Sequence, residues 1–180
     1  MSNSLPKKEE KNRGFSLVEL LVVVGIIAIL ISVVIVGSQT VRSRGRDAQV
    51  RSDVSTIILA FERFRNNSAD SPNYRYPGVY NQVQCLKASG TCWGGAYNGN
   101  STISANLANY LSTIPTPPGT KSGELRHDAY LFYSGSSDPF GLGIGNGSWL
   151  VWPQEKPIPD CKGLARQESD GIYYCYQLLR

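Results

Sequence analysis

The sequence predicts an α+β fold: a long N-terminal α-helix, membrane-spanning in its first half, packed through its second half on an antiparallel β-sheet of at least three strands. Three observations carry this expectation. From Leu17 to Val36 only Glu19, Gly25 and Ser32 interrupt Leu, Val, Ile and Ala. Twenty helical residues at about 1.5 Å each cover roughly 30 Å, the thickness of a bilayer's hydrocarbon core. From Val41 to Arg65 apolar residues then recur at helical spacing. Beyond residue 128, three runs rich in aromatic and aliphatic residues are bounded by turn formers, the pattern of strands.

The first helix opens with Ser16-Leu17-Val18-Glu19, an S-x-x-E capping box in which two side chains satisfy free N–H groups at a helix start. An acid there also suits the helix dipole. The longer string Arg13-Gly14-Phe15-Ser16-Leu17-Val18-Glu19-Leu20-Leu21-Val22-Val23 resembles the class III signal of type IV pilins and type II secretion pseudopilins. That signal is a short basic leader, Gly, Phe, a hydroxyl residue, then apolar residues broken once by Glu. The resemblance covers about residues 7–40.

This resemblance implies a pilin-like fold and four segments: a leader peptide at 1–14, a transmembrane and assembly helix at 15–37, the amphipathic half of that helix at 38–65, and a globular head at 66–180. It implies cleavage between Gly14 and Phe15 by a prepilin peptidase, with methylation of the new Phe15 amine. Glycine suits a cleavage site because the absent side chain lets the peptidase approach the backbone. It further implies that the Glu19 carboxylate neutralises the Phe15 amine of a neighbouring copy, since two opposite charges leave water more cheaply together than singly. The implied partners are other copies in a homopolymer, the assembly platform with its ATPase, and inner-membrane lipid before assembly. The implied location is the bacterial cytoplasmic membrane, single-pass with the N-terminus inside, then an extracellular pilus or a periplasmic pseudopilus.

Along the second half of the helix, Val50, Val54, Ile57, Ile58, Phe61 and Phe64 form one apolar face, with Arg46, Asp47, Arg51, Asp53, Glu62 and Arg63 largely elsewhere. Many type IV pilins carry a proline about two-thirds of the way along this helix; here there is none. The arginines between Arg42 and Arg51 are expected at lipid headgroups or against acids of neighbouring copies. Asn66-Asn67-Ser68 and Ser71-Pro72 stop the helix. Residues 66–100 show little periodicity. Ser101–Ser112 reads as a short helix, with Ile103, Leu107 and Leu111 on one face. The strands are expected at Ala129–Ser134, Ser148–Trp152 and Gly171–Leu178, with Pro153–Asp170 looping out between the last two. No helix long enough for a crossover intervenes, so the sheet is expected to be antiparallel.

Four cysteines, Cys85, Cys92, Cys161 and Cys175, allow three pairings, and local pairing within the two close pairs is expected. Disulfides place the head in an oxidising compartment. Within the resemblance, a disulfide-bounded C-terminal loop is similar to the variable surface region of type IV pilins. The net charge of +4 is too mild to make nucleic acid a primary partner.

No catalytic constellation emerges and no cofactor or metal is expected. His127, the single histidine, is adjacent to Asp128 in a polar turn, a placement that does not build a His–Asp relay. Asp128, Asp138 and Asp160 sit near turns and are assigned to capping in preference to calcium. Asn66, Asn100 and Asn146 begin N-x-S/T sequons. Trp149, Trp152, Tyr173, Tyr174 and Tyr176 are assigned to the core before a sugar-binding surface. The expected function is structural: a subunit of a type IV pilus-like filament. The alternatives are a type II secretion pseudopilin and a minor tip or adhesin pilin.

Overall fold

The computed structural model describes residues 14–67, 75–119, 128–144, 146–157, 159, 161–169 and 171–179, without the side chains of 34–39. The leader up to residue 13, Ser68, Ser71-Pro72, His127 and Asp160 lie outside the described residues. Two compact units are present, one ending at Thr40 and one running from Val41. The elements are α1 Leu17–Asn66, β1 Gln82–Cys85, β2 Thr91–Cys92, β3 Tyr97–Gly99, α2 Ser101–Leu107, β4 Leu131–Gly135, β5 Gly147–Gln154, β6 Leu164–Gln167 and β7 Tyr173–Leu179.

In the first unit, the side chains of α1 from Leu17 to Val33 are exposed. Among the described residues no helix is long and apolar enough to cross a membrane. The described apolar side chains stop at Val33, short of the Val36 at which the run ends in the sequence.

In the second unit, Val50, Val54, Ile57, Ala60, Phe61 and Phe64 of α1 are buried against the sheet. Phe61 stacks on Phe132 of β4 with ring centroids 4.7 Å apart. Burying each large side chain stabilises the fold by about 1.5–3 kcal/mol, which is what fixes this stretch of helix to the sheet. Ile58 is only partly buried. Ser43 and Asp47 extend the buried stripe, contrary to the expectation that Asp47 lies off it. Helical spacing explains this: 43, 47, 50 and 54 fall on one face, and Asp47 is tolerated there because a backbone N–H meets it, as described below.

Among the described residues the sheet has seven strands in the order β2-β3-β1-β4-β5-β7-β6. The three expected strands are β4, β5 and β7, paired antiparallel. The expectation of an all-antiparallel sheet is corrected at one place: β1 and β3 run parallel, Gln84 opposite Asn98. The short β2 provides the reversal between them and pairs antiparallel on the far side of β3. Three strands thus occupy residues 82–99, which carry little periodicity because the strands have only two to four residues each. A further correction places β6 inside the stretch expected to loop out. All four of its residues are exposed, so no alternation marks it. The short helix also ends earlier than expected, and turns bonded through Leu107 O carry the chain on to Leu111.

Both faces of the sheet are covered. Phe132, Leu150, Trp152, Cys175 and Leu179 face α1, while Leu131, Tyr133, Trp149, Val151, Tyr174 and Tyr176 form a second core with Trp93, Phe140 and Leu142. Burial of Trp149, Trp152, Tyr174 and Tyr176 follows from this double coverage and leaves none of them as a binding surface.

Disulfides join Cys85 to Cys92 and Cys161 to Cys175. The first ties β1 to β2. The second ties the segment before β6 to β7 across a sequence separation of 14. A loop of that size constrains the unfolded chain by about 3 kcal/mol in the chain-entropy model. Replacing Cys161 and Cys175 together by serine is therefore expected to cost about 3 kcal/mol, measured as a lowered denaturation midpoint with a slope that steepens as the unfolded chain is freed; an unchanged midpoint would contradict the assignment.

Candidate processing and assembly site

The site is built at the start of α1. Ser16 is the residue before the helix. Its Oγ accepts from the N–H of Val18 at 3.3 Å, and its own N–H donates to Glu19 Oε2 at 3.1 Å. Leu20 N–H closes the first turn on Ser16 O at 3.2 Å. Ser16 and Glu19 therefore each satisfy one of the N–H groups that a helix start leaves over. Phe15, at 83% exposure, and Gly14 precede this cap. A side chain added at Gly14 would meet no atom within 4 Å. Glu19 stays exposed, held by a single backbone N–H three residues before it. Gly14 and Phe15 thus lie just before the helix and Glu19 in its first turn, with an accessible peptide bond and an accessible acid.

The remaining candidates are placed elsewhere. Asp128 accepts from Lys87 Nζ at 2.8 Å and from the Trp93 N–H at 3.0 Å. Burial alone would raise its pKa, but these two donors hold the carboxyl below the usual range. Asp138 accepts from the Phe140 and Gly143 N–H groups at 3.3 and 2.6 Å, closing the turn between β4 and β5. Both acids are used as caps and as a partner for Lys87. Asn100 caps α2 by accepting from Thr102 and Ile103 N–H, and its amide donates to Gln84 Oε1. An Asn100 amide engaged in this way is poorly placed for modification.

Two features of the helix were missed in the sequence. Arg46 clamps Glu155 through two bonds of 2.8 and 2.9 Å, so this arginine is engaged by its own chain instead of a headgroup or a neighbour. Beside it, Asp47 Oδ1 accepts from the Glu155 N–H at 2.9 Å. The only signal for either was an acid on the buried face of the helix.

Asp47's carboxyl is raised above the ordinary carboxylate range by burial, with the Glu155 N–H pulling the other way. A raised folded pKa means the folded state holds the proton more tightly than the unfolded chain. The stability it contributes is present below the unfolded pKa and is lost as pH rises through the folded value. Asp47→Asn keeps an acceptor oxygen and removes this titration. As pH rises from the unfolded value, about 4, through the higher folded value, the wild-type thermal midpoint is expected to fall relative to that of the variant; parallel midpoint curves would contradict this.

Fold and site together define a class: an α+β chain with a long N-terminal helix whose start bears one exposed acid beside an open Gly-Phe bond. Residues 11–35 match the family model of the prokaryotic N-terminal methylation motif, the class III signal of type IV pilins and pseudopilins. Comparison with curated proteins and with solved structures gave no match.

Proposed function

We propose that this chain is a prepilin: the precursor of a structural subunit of a type IV pilus-like filament, with no catalytic activity of its own. The observation that carries the reading is the methylation motif at residues 11–35, with Glu19 exposed at the helix start. A prepilin peptidase cuts after Gly14 and the Phe15 amine is methylated. The apolar residues from Leu17 onward hold the precursor in the inner membrane, N-terminus inside. An assembly platform and its ATPase then transfer the helix from lipid to a bundle of other copies, where exposed Leu, Val and Ile side chains are buried again. The Cys85–Cys92 and Cys161–Cys175 bonds fit a head that matures outside the cytoplasm, and the C-terminal loop closed by the second resembles the variable surface region of type IV pilins, which favours a surface pilus over a periplasmic pseudopilus.

Immunogold labelling of sheared surface filaments tests this reading. Label along the whole length of the fibres is expected. Label at one end only identifies a tip subunit, and its restriction to the periplasm identifies a secretion pseudopilin; either result overturns the proposal.

A further inference from the structure

Strand β6 adds cover to the sheet but no core. Its four residues are all exposed. By contrast β7, the strand it pairs with, buries Tyr174, Cys175, Tyr176 and Leu179. The side-chain bonds of β6 stay inside its own hairpin: Arg166 pairs with Glu168 at 3.3 Å, and Gln167 donates to Gly171 O at 3.2 Å. Apart from its main-chain pairing, what fixes β6 to the core is the Cys161–Cys175 bond, which joins the chain just before β6 to the middle of β7.

The two strands differ as edges. β6 has Arg166 within it and Lys162 and Glu168 beside it, the short, charged kind of edge that resists pairing with another chain. β7 from Tyr173 to Leu179 carries no charge, no proline and no glycine, the composition of a segment that pairs readily with its own copies. β6 therefore shields the pairing edge of β7. The two disulfides differ in access. Cys85, Cys92 and Cys175 are buried, whereas Cys161 is half-buried. A thiolate opens a disulfide by attacking a sulfur it can reach, and Cys161 offers that sulfur.

We propose that Cys161–Cys175 is a redox-controlled closure of the sheet edge. With the bond formed, β6 covers β7; with both cysteines as thiols, β6 lifts away and β7 pairs with the β7 strand of a second copy of this chain. Opening is exchange with a dithiol. One thiolate attacks the Cys161 sulfur to form a mixed disulfide, and Cys175 leaves as a thiolate that takes up a proton. The second thiol of the dithiol then displaces Cys161, so two electrons and two protons pass to the protein and the dithiol ends as its own disulfide. Closing runs these steps in reverse. A second copy is the occupant because an antiparallel β7 pair sets no like charges opposite one another. The closure is separate from the start of α1 and independent of processing there.

Alternation along β7 supplies the readout. Ile172 O faces β6, since it accepts the Glu168 N–H at 3.0 Å. The Tyr174 and Tyr176 N–H groups therefore face β6, and the Gln177 N–H faces β5. The test follows amide exchange in the uniformly ¹⁵N-labelled full chain in detergent micelles. In oxidised wild type the three amides are expected to exchange within about tenfold of one another. After reduction with dithiothreitol, and in the C161S/C175S variant, Tyr174 and Tyr176 are expected to exchange at least about a hundredfold faster than Gln177. Raising the variant's concentration about tenfold at a fixed detergent-to-protein ratio is expected to slow Tyr174 and Tyr176 again by mass action. Trapping with iodoacetamide during the reduction is expected to label Cys161 and Cys175 at least about tenfold faster than Cys85 and Cys92. Tyr174 and Tyr176 exchanging in step with Gln177 after reduction would show that the bond acts on the fold as a whole, and overturns the proposal. So does exchange at Tyr174 and Tyr176 that ignores concentration, and so does equal labelling of the four cysteines.

Discussion

Replacing Glu19 by valine is expected to leave the protein in the membrane and to reduce filament yield by about a hundredfold or more. The magnitude follows from the proposed pairing with the Phe15 amine of a neighbouring copy: removing one member of a buried pair strands the other, at about 3–5 kcal/mol, and every 1.4 kcal/mol is a factor of about ten in an association constant. Membrane insertion loses nothing, because a valine near the end of an apolar span is more favourable there than an acid. The structure adds a control. Glu19 also accepts the Ser16 N–H at 3.1 Å, so the valine variant loses a helix cap as well as a charge. Glutamine is the other residue that serves in a capping box. Glu19→Gln therefore retains the cap while discarding the charge. If the charge is what matters, the glutamine variant assembles as poorly as the valine variant. Near-normal filaments from Glu19→Gln would reduce Glu19 to a cap.

The second large effect is expected at Gly14. Gly14→Ala should lower the rate of maturation at least about tenfold, equivalent to about 1.4 kcal/mol at the peptidase's transition state. The chain itself gives no reason for such a loss. A methyl group at this position meets no atom within 4 Å, and the helix cap begins two residues later, so the folded precursor accommodates alanine. Any loss must arise where the peptidase approaches the backbone closely. Pulse-labelled cells would show the precursor persisting at its full length, resolved from the shortened product by gel mobility. Processing at the wild-type rate would remove Gly14 from the site.

The long helix, its buried face and the three central strands were legible because each is written in periodic burial. Val50, Val54, Ile57, Phe61 and Phe64 mark one helix face, and the aromatic runs mark β4, β5 and β7. The capping pair Ser16 and Glu19 was legible because it is local, fixed by spacing alone. The rest was hidden for identifiable reasons. Strands β1, β2 and β3 have too few residues to establish a period, and their arrangement depends on pairings that only the folded chain makes. Strand β6 is an exposed edge with no buried side. Asp47 was read as lying off the apolar face of the helix, yet it is buried. Asp47 meets a backbone N–H contributed from residue 155, a partner 108 positions away that no spacing rule anticipates.

The central claim is that the exposed Gly14-Phe15 bond is cut and that the amine so created is the partner of Glu19 in an assembled filament. Mass spectrometry of the N-terminal peptide from filaments purified from cells tests it most directly. The account predicts a chain beginning at Phe15 with a single methyl group on its amine. A peptide beginning at Met1, with the Gly14-Phe15 bond intact, would contradict it.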